Sequence, residues 1–381
     1  MTARNTNPIA AQTSTDSTPD SDTWGGVNWQ EKRVVTGALG LEAVRRHIML
    51  SGRLYFPELC DGFRVKASFP FHSTYPIAKF ELDDGIHRMG IVAKWAPVFQ
   101  GNNEGLTEFA NYLQFNSMYC VSGVRFRCPR VLNFLTDQNV LLTEEEPGST
   151  LRYILCHPAQ FHDLPDGSFR CTLEALAQWL KAFHRIDSTR ISAASGWLHV
   201  ERAIPWLSSD FIDRDDVIAL LGRDRVETLK CARDFAQRAV RCPGCNVGRL
   251  HNDYGPGNIV VNAHRVTVLD AAWNRPGVQL SDVAYFTTCI SLMGALHVRS
   301  ARWRQSAVEQ FLCSYFRDNG VSPETKMLLV LLRLEAVLRE LARHVRRIEA
   351  LPFVLRPGLR LFCRRVYREA IGIAATDAHI P

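Results

Sequence analysis

The chain has 381 residues, of which 46% are hydrophobic and 22% charged, with a formal charge of +6. That length allows two lobes with a sizeable core, and the composition excludes a collagen-like, wholly disordered or disulfide-stapled chain. The positive excess is too small at this length to indicate a nucleic-acid or membrane partner by itself.

Residues 1–25 are rich in Ser, Thr, Asp, Asn and Pro and predict a disordered arm. The arm lacks an apolar run and carries Asp16, Asp20 and Asp22, so it does not read as a leader peptide. The 11 cysteines are therefore expected to be reduced thiols in a cytoplasmic protein. The longest uncharged apolar run, residues 283–297, is shorter than the ~20 residues a membrane-spanning helix needs, so a buried helix is predicted there.

Residues 26–145 read as a small β-rich lobe with an N-terminal extension. FRVKASF (63–69), YPIAKFEL (75–82) and MGIVAKWA (89–96) predict three strands, with Asp83-Asp84-Gly85 as the turn between the second and third. LTEFANYLQFNSMY (106–119) predicts a helix. Residues 129–132 and 139–142 predict two further strands, and Glu144-Glu145-Glu146-Pro147-Gly148 closes the lobe as a charged, turn-forming connector. Residues 146–381 read as a larger, mainly helical lobe. Leu173, Leu176, Leu180 and Phe183 form the stripe of a helix over 172–187, with Thr172 as its candidate N-cap. Leu331, Leu334, Leu338, Leu341, Val345 and Ile348 form another over 331–348.

LHNDYGPGNIVVNAHRVTVLDAAWN (250–274) carries the chemistry. Ile259–Val261 and Val266–Leu269 predict a hairpin, which brings together Asp253 and Asn258 before its first strand and Asp270 after its second. Phosphoryl transfer needs Mg2+, a hard cation that takes oxygen ligands, and a separate carboxylate for the acceptor hydroxyl. A carboxylate, an amide and a second carboxylate supply that set.

His251-x-Asp253-x4-Asn258-Ile259, followed by Val268-Leu269-Asp270, resembles the catalytic and metal-binding motifs of the aminoglycoside phosphotransferase and choline kinase superfamily. The resemblance implies an α+β, bilobal, protein-kinase-like fold with a small β-rich N-lobe and a larger mainly helical C-lobe. It also implies an enzyme that transfers phosphate from ATP or GTP, with Mg2+, to a hydroxyl of a small molecule. Carried over by position, it makes Asp253 the catalytic base, Asn258 and Asp270 the metal ligands, and His251 the support of the loop. Asp282 in Ser281-Asp282-Val283 would be structural. Lys94, in Val92-Ala93-Lys94, would contact the α- and β-phosphates, with Glu108 as its ion-pair partner and Glu104 as the alternative. Residues 141–146, including Glu144 and Glu146, would form the hinge that reads the base through its backbone. The nucleotide loop would fall at FPFHST (69–74), which has no glycine, so its phosphate contacts would come from side chains such as Ser73 and Thr74.

Two other readings stay open. The glycine-free loop suits a pseudokinase or a regulatory nucleotide-binding module. A protein kinase fits less well, because Asp282 follows Asp270 too closely for an activation segment. The net positive charge of residues 301–370 predicts a neutral or anionic acceptor rather than a polycation. Cys242-Pro243-Gly244-Cys245 lacks a second ligand pair and reads as a turn. His184 receives no role. Nucleic-acid binding by the basic C-terminal region is a distant third reading, since no stacking-aromatic pattern accompanies the charge. Oligomeric state is not legible.

Overall fold

The computed structural model describes residues 38–68, 76–96, 98–99, 102–116, 125–157, 169–186, 189–190, 246–262, 265–271, 276–296, 300–317, 323–349, 357 and 361. The expected arm, the 69–74 loop with Ser73 and Thr74, and the Cys242–Cys245 turn lie outside the described residues.

The N-terminal lobe runs α1 (Ala38–Tyr55), β1 (Arg64–Ser68), β2 (Ile77–Asp83), β3 (Arg88–Trp95), β4 (Val98–Phe99), β5 (Asn102–Asn103), α2 (Glu104–Asn116), β6 (Arg125–Arg127), β7 (Val131–Leu135) and β8 (Val140–Glu144). Its five-stranded antiparallel sheet has the order β1-β2-β3-β8-β7. Side chains alternate across each strand, so Ala78, Phe80 and Leu82 of β2 bury with Ile91 and Ala93 of β3 on one face. Val44 and Ile48 of α1 close that face. On the other side α2 packs against β7 and β8, and Lys94 is delivered towards it. The β2–β3 turn forms as its sequence predicts: the Asp84 carboxylate accepts from the amides of Ile86, His87 and Cys60. Gly85 takes a left-handed φ of 88°.

Helix α1 falls within what the sequence shows only as an extension. Its apolar stripe is blurred, since Met49, Leu50 and Leu54 are exposed. Gly52, a poor helix former, is needed there because a Cβ would strike the Phe63 ring.

The second lobe runs β9 (Ser149–Thr150), α3 (Leu151–Cys156), α4 (Phe169–Arg185), β10 (Thr189–Arg190), β11 (Asn246–Arg249), β12 (Ile259–Asn262), β13 (Arg265–Val268), β14 (Pro276–Val278), α5 (Leu280–Leu296), α6 (Ala301–Phe316) and α7 (Pro323–Glu349). The predicted hairpin is β12–β13, with Ile259 opposite Val268. It sits in a sheet of order β6-β13-β12-β9, in which β6 runs parallel to β13. The α4 stripe is buried as expected. Thr172, however, is not its N-cap: the helix begins at Phe169, and Thr172 lies wholly buried inside it. Helix α5 packs against both α6 and α7, and α6 against α4. Among the described residues no helix is long and apolar enough to cross a membrane.

Helix α7 carries one carboxylate in an unfavourable place. Burial pushes the Glu335 carboxyl up to about 7, against the opposing pull of Arg339. A carboxyl whose folded pKa is raised stabilises the fold below its unfolded value and loses that contribution as pH rises through the folded value. Glu335→Gln should therefore be more stable than the parent at pH 8, by about 2 kcal/mol, and no more stable at pH 4. Urea unfolding at the two pH values checks this.

Candidate active site

The loop from His251 to Asn258 is held mainly from beneath. Asp282, in the first turn of α5, accepts hydrogen bonds from the His251 amide at 2.7 Å and the Asn252 amide at 2.8 Å. The first turn of a helix favours a carboxylate, which here also receives His184 Nε2–H at 3.1 Å. His184 Nδ1 in turn meets the Tyr315 hydroxyl of α6 at 2.7 Å. All four side chains, those of His184, His251, Asp282 and Tyr315, are buried. His184, to which the sequence assigned no role, is thus part of the loop's foundation. Asn252 is locked in the left-handed region at φ 63°, which an Asn tolerates better than most residues.

His251 packs edge-on to the rings of Trp179 and Tyr254, and its Nε2–H donates to the Leu269 carbonyl at 2.9 Å. That bond ties the loop to the far end of the hairpin. The Asn258 carbonyl accepts the Leu269 amide at 2.8 Å and closes the same seam. Asn258 Nδ2 donates to Asp253 Oδ2 at 2.8 Å and to the Asp253 carbonyl at 3.0 Å. Asp253 therefore has a fixed carboxylate. The Asn258 amide has spent its donor on Asp253 and keeps Oδ1 as its acceptor. Together with the Asp270 carboxylate this is a hard-oxygen set that fits Mg2+, which binds a few protein oxygens and completes its shell with water and phosphate. Among the described residues, no group of three or more His, Cys, Asp or Glu could hold a metal.

Lys94 reaches this corner from the other lobe. Its Nζ donates to Glu108 Oε2 at 2.8 Å and to Asp270 Oδ1 at 2.6 Å. Burial works against the ammonium, but the two carboxylates outweigh it and raise its pKa. Burial raises Glu108 more than Lys94 lowers it. For Asp270 the balance reverses, and the ammonium holds it below its ordinary value. The side chain of Glu108 is 2% exposed and that of Asp270 40%; burial opposes ionisation at both, and the nearby Asp270 charge adds to the rise at Glu108.

Two residues that the sequence did not single out stand beside this triad. The Tyr112 hydroxyl donates to Glu108 Oε1 at 2.7 Å and accepts the Asp270 amide at 2.7 Å. Asn111 Nδ2 donates to the Ala271 carbonyl at 2.6 Å. The i,i+4 spacing of Glu108 and Tyr112 on a helix was the available signal.

The hinge carboxylates point elsewhere. Glu144 pairs with Arg130 at 2.6 Å, and its amide donates to the Arg130 carbonyl. Glu146, 3% exposed, sits between Arg127 at 2.7 Å and Arg265 at 3.5 Å and accepts from Thr267 Oγ1 at 3.0 Å. Glu145 crosses Gly90, where a Cβ would collide with it, and pairs with Lys79 at 2.5 Å. The carboxylates of Glu144 and Glu146 are thus committed to arginines, and the amides of Glu144 and Glu145 to the Arg130 and Gly90 carbonyls.

No protein-family model and no curated protein matches the chain. Solved structures do match it. A glucosamine kinase structure, crystal form B, aligns over 84% of this chain and 82% of its own, with a TM-score of 0.52 and 15% identity. The structure of glucosamine kinase in complex with glucosamine, ADP and inorganic phosphate aligns over 85% and 82%, with a TM-score of 0.50 and 15% identity. A putative aminoglycoside phosphotransferase from Ralstonia eutropha JMP134 aligns over 88% and 98%, with a TM-score of 0.52 and 12% identity. At such identities the likeness establishes the fold, and that fold is the bilobal kinase-like one the sequence motifs implied.

Asp282→Ala strips the acceptor from two loop amides and from His184 Nε2. Each buried group left without a partner costs about 1–3 kcal/mol. The variant should lose about 3–5 kcal/mol of stability, which denaturant unfolding reads directly.

Proposed function

We propose that the protein is a phosphotransferase that moves the γ-phosphoryl group of ATP or GTP to a hydroxyl of a small molecule, with Mg2+. The observation that carries this reading is the convergence of Asp253, Asn258, Asp270 and the Lys94–Glu108 pair at one corner between the lobes. Lys94 would donate to the α- and β-phosphates, with Glu108 holding its ammonium in place. The hinge backbone at 144–146 would read the base, and Ser73 and Thr74 would reach the phosphates. Asn258 and Asp270 would hold Mg2+, which when bound supplies neutralisation of the phosphate oxygens. Asp253 accepts the proton of the acceptor hydroxyl as its oxygen bonds to the γ-phosphorus. The bond to the bridging oxygen breaks, and that oxygen leaves with the nucleoside diphosphate.

The acceptor side is mixed in charge. Tyr285 abuts the catalytic loop at Gly255. On α7, the Arg339 guanidinium lies 4.7 Å from the Tyr285 ring, and Glu340 lies 3.4 Å from its hydroxyl. With the positive charge of residues 301–370, this favours a neutral, hydroxyl-rich acceptor over a polycation. The glycine-free loop favours one second reading, a regulatory nucleotide-binding module.

Thermal unfolding with ATP or GTP, each with and without Mg2+, tests the proposal. Nucleotide at ~100-fold above Kd adds ~2.7 kcal/mol of stability. Asp270→Ala should lose the Mg2+-dependent part of the shift. Asp253→Ala should keep it and lose transfer by at least ~100-fold, read as phosphate moved to the acceptor. A Mg2+-dependent shift with no transfer to any hydroxyl acceptor supports the binding module. No shift with either nucleotide overturns both readings.

A further inference from the structure

Asp270 occupies an unusual backbone position. Its φ is 58°, in the left-handed region, where a non-glycine residue costs about 1–3 kcal/mol and persists only if its surroundings impose it. The residue that follows brings little to impose it with: Ala271 is buried but offers a single methyl group. Polar ties do the work instead. The Leu269 amide and carbonyl are held by Asn258 and His251. The Asp270 amide is held by the Tyr112 hydroxyl, and the Ala271 carbonyl by Asn111.

Among these ties, Tyr112 alone also touches the phosphate-side ion pair. Its hydroxyl has one proton, which goes to Glu108 Oε1, so the oxygen is free to accept from Asp270 N–H. The bonds therefore run one way, from the Asp270 amide through the phenol to the Glu108 carboxylate. Glu108 then completes the ring through Lys94, whose Nζ returns to the Asp270 side chain. The phenol is buried, and burial keeps it protonated. The Asp270 side chain is the one part of this ring with substantial exposure.

We propose that Tyr112 is the positioning residue for the metal-binding carboxylate: it fixes the Asp270 backbone so that the side chain can leave Lys94 for a divalent cation without the backbone moving. Asn111 does the same for the next peptide. This proposal rests on the reading of Asp270 as a metal ligand. A phenylalanine at 112 would fill the same space and leave both Glu108 Oε1 and the Asp270 amide without that partner.

The test uses the full chain and Mn2+ or Mg2+ titrated at a fixed ATP or GTP concentration, with the nucleotide-induced rise in melting temperature as the signal. In Tyr112→Phe the metal concentration for half of that rise should increase about tenfold. The dissociation constant for metal-free nucleotide, which reads Lys94 and Glu108, should rise by clearly less than the metal requirement, whereas general loosening of the lobe weakens both alike. Amide exchange at Asp270 in the ligand-free protein should accelerate. Asn111→Ala, which leaves the phenol in place, should shift the metal requirement in the same direction by less, and it serves if Tyr112→Phe does not fold. A metal requirement unchanged in Asn111→Ala and in any folded Tyr112→Phe, with a normal metal-dependent rise in the parent, overturns this proposal and leaves the proposed function standing. Absence of a metal-dependent rise in the parent overturns both.

Discussion

Lys94 Nζ stands between Glu108 on α2 and Asp270 on the loop after β13, within hydrogen-bonding distance of both. A buried ammonium with one partner costs several kcal/mol to desolvate, and a second carboxylate shifts that balance towards the charged form. The arrangement joins three pieces of chain that otherwise share little: a central strand, a helix on that strand's sheet, and the end of a hairpin in the other lobe. It also leaves the corner with an excess of negative charge, one ammonium against two carboxylates. That charge balance suits the cation and the phosphate proposed for this corner.

The loop that carries Asp253 has a different kind of support. Its amides end on Asp282, its histidine on the Leu269 carbonyl, and its tyrosine on the Leu176 carbonyl. The supporting groups come from α4, α5 and the hairpin, so the loop inherits the rigidity of the helical lobe. Asp253 and Asn258 then hold each other. The 144–146 segment is anchored independently, through the buried Glu146 and its arginines on β6 and β13.

The 251–258 loop was legible in the sequence because its residues are close together and chemically restricted. His251, Asp253 and Asn258 precede one hairpin and Asp270 follows it, and few structures need that order of side chains. Lys94 and Glu108 were legible for a related reason, a charge on an apolar strand and a carboxylate on the next helix. Tyr112 was not, because one of its two partners lies 158 residues away. Nor was the engagement of Glu146, whose partners arrive from β6 and β13. Helix α1 escaped because its outer face carries exposed leucines and its close approach to Phe63 demands a glycine. Thr172 looked like a cap because it is a Thr just ahead of the leucine stripe, but the helix starts a turn earlier at Phe169.

The covering of the first lobe by α1 bears on how the chain is made. Val44 and Ile48 close one face of the sheet over a core drawn from residues 44–142, whereas Tyr112 and Phe115 of α2 join the core of the second lobe. Domains complete in the N-terminal part of a chain can fold while synthesis continues. Lys94 and Glu108 can then meet while Asp270, 176 residues after the lysine, is still to be translated. Until it arrives, Glu108 alone can partner the lysine, and Asp270 adds the second carboxylate once the hairpin has formed.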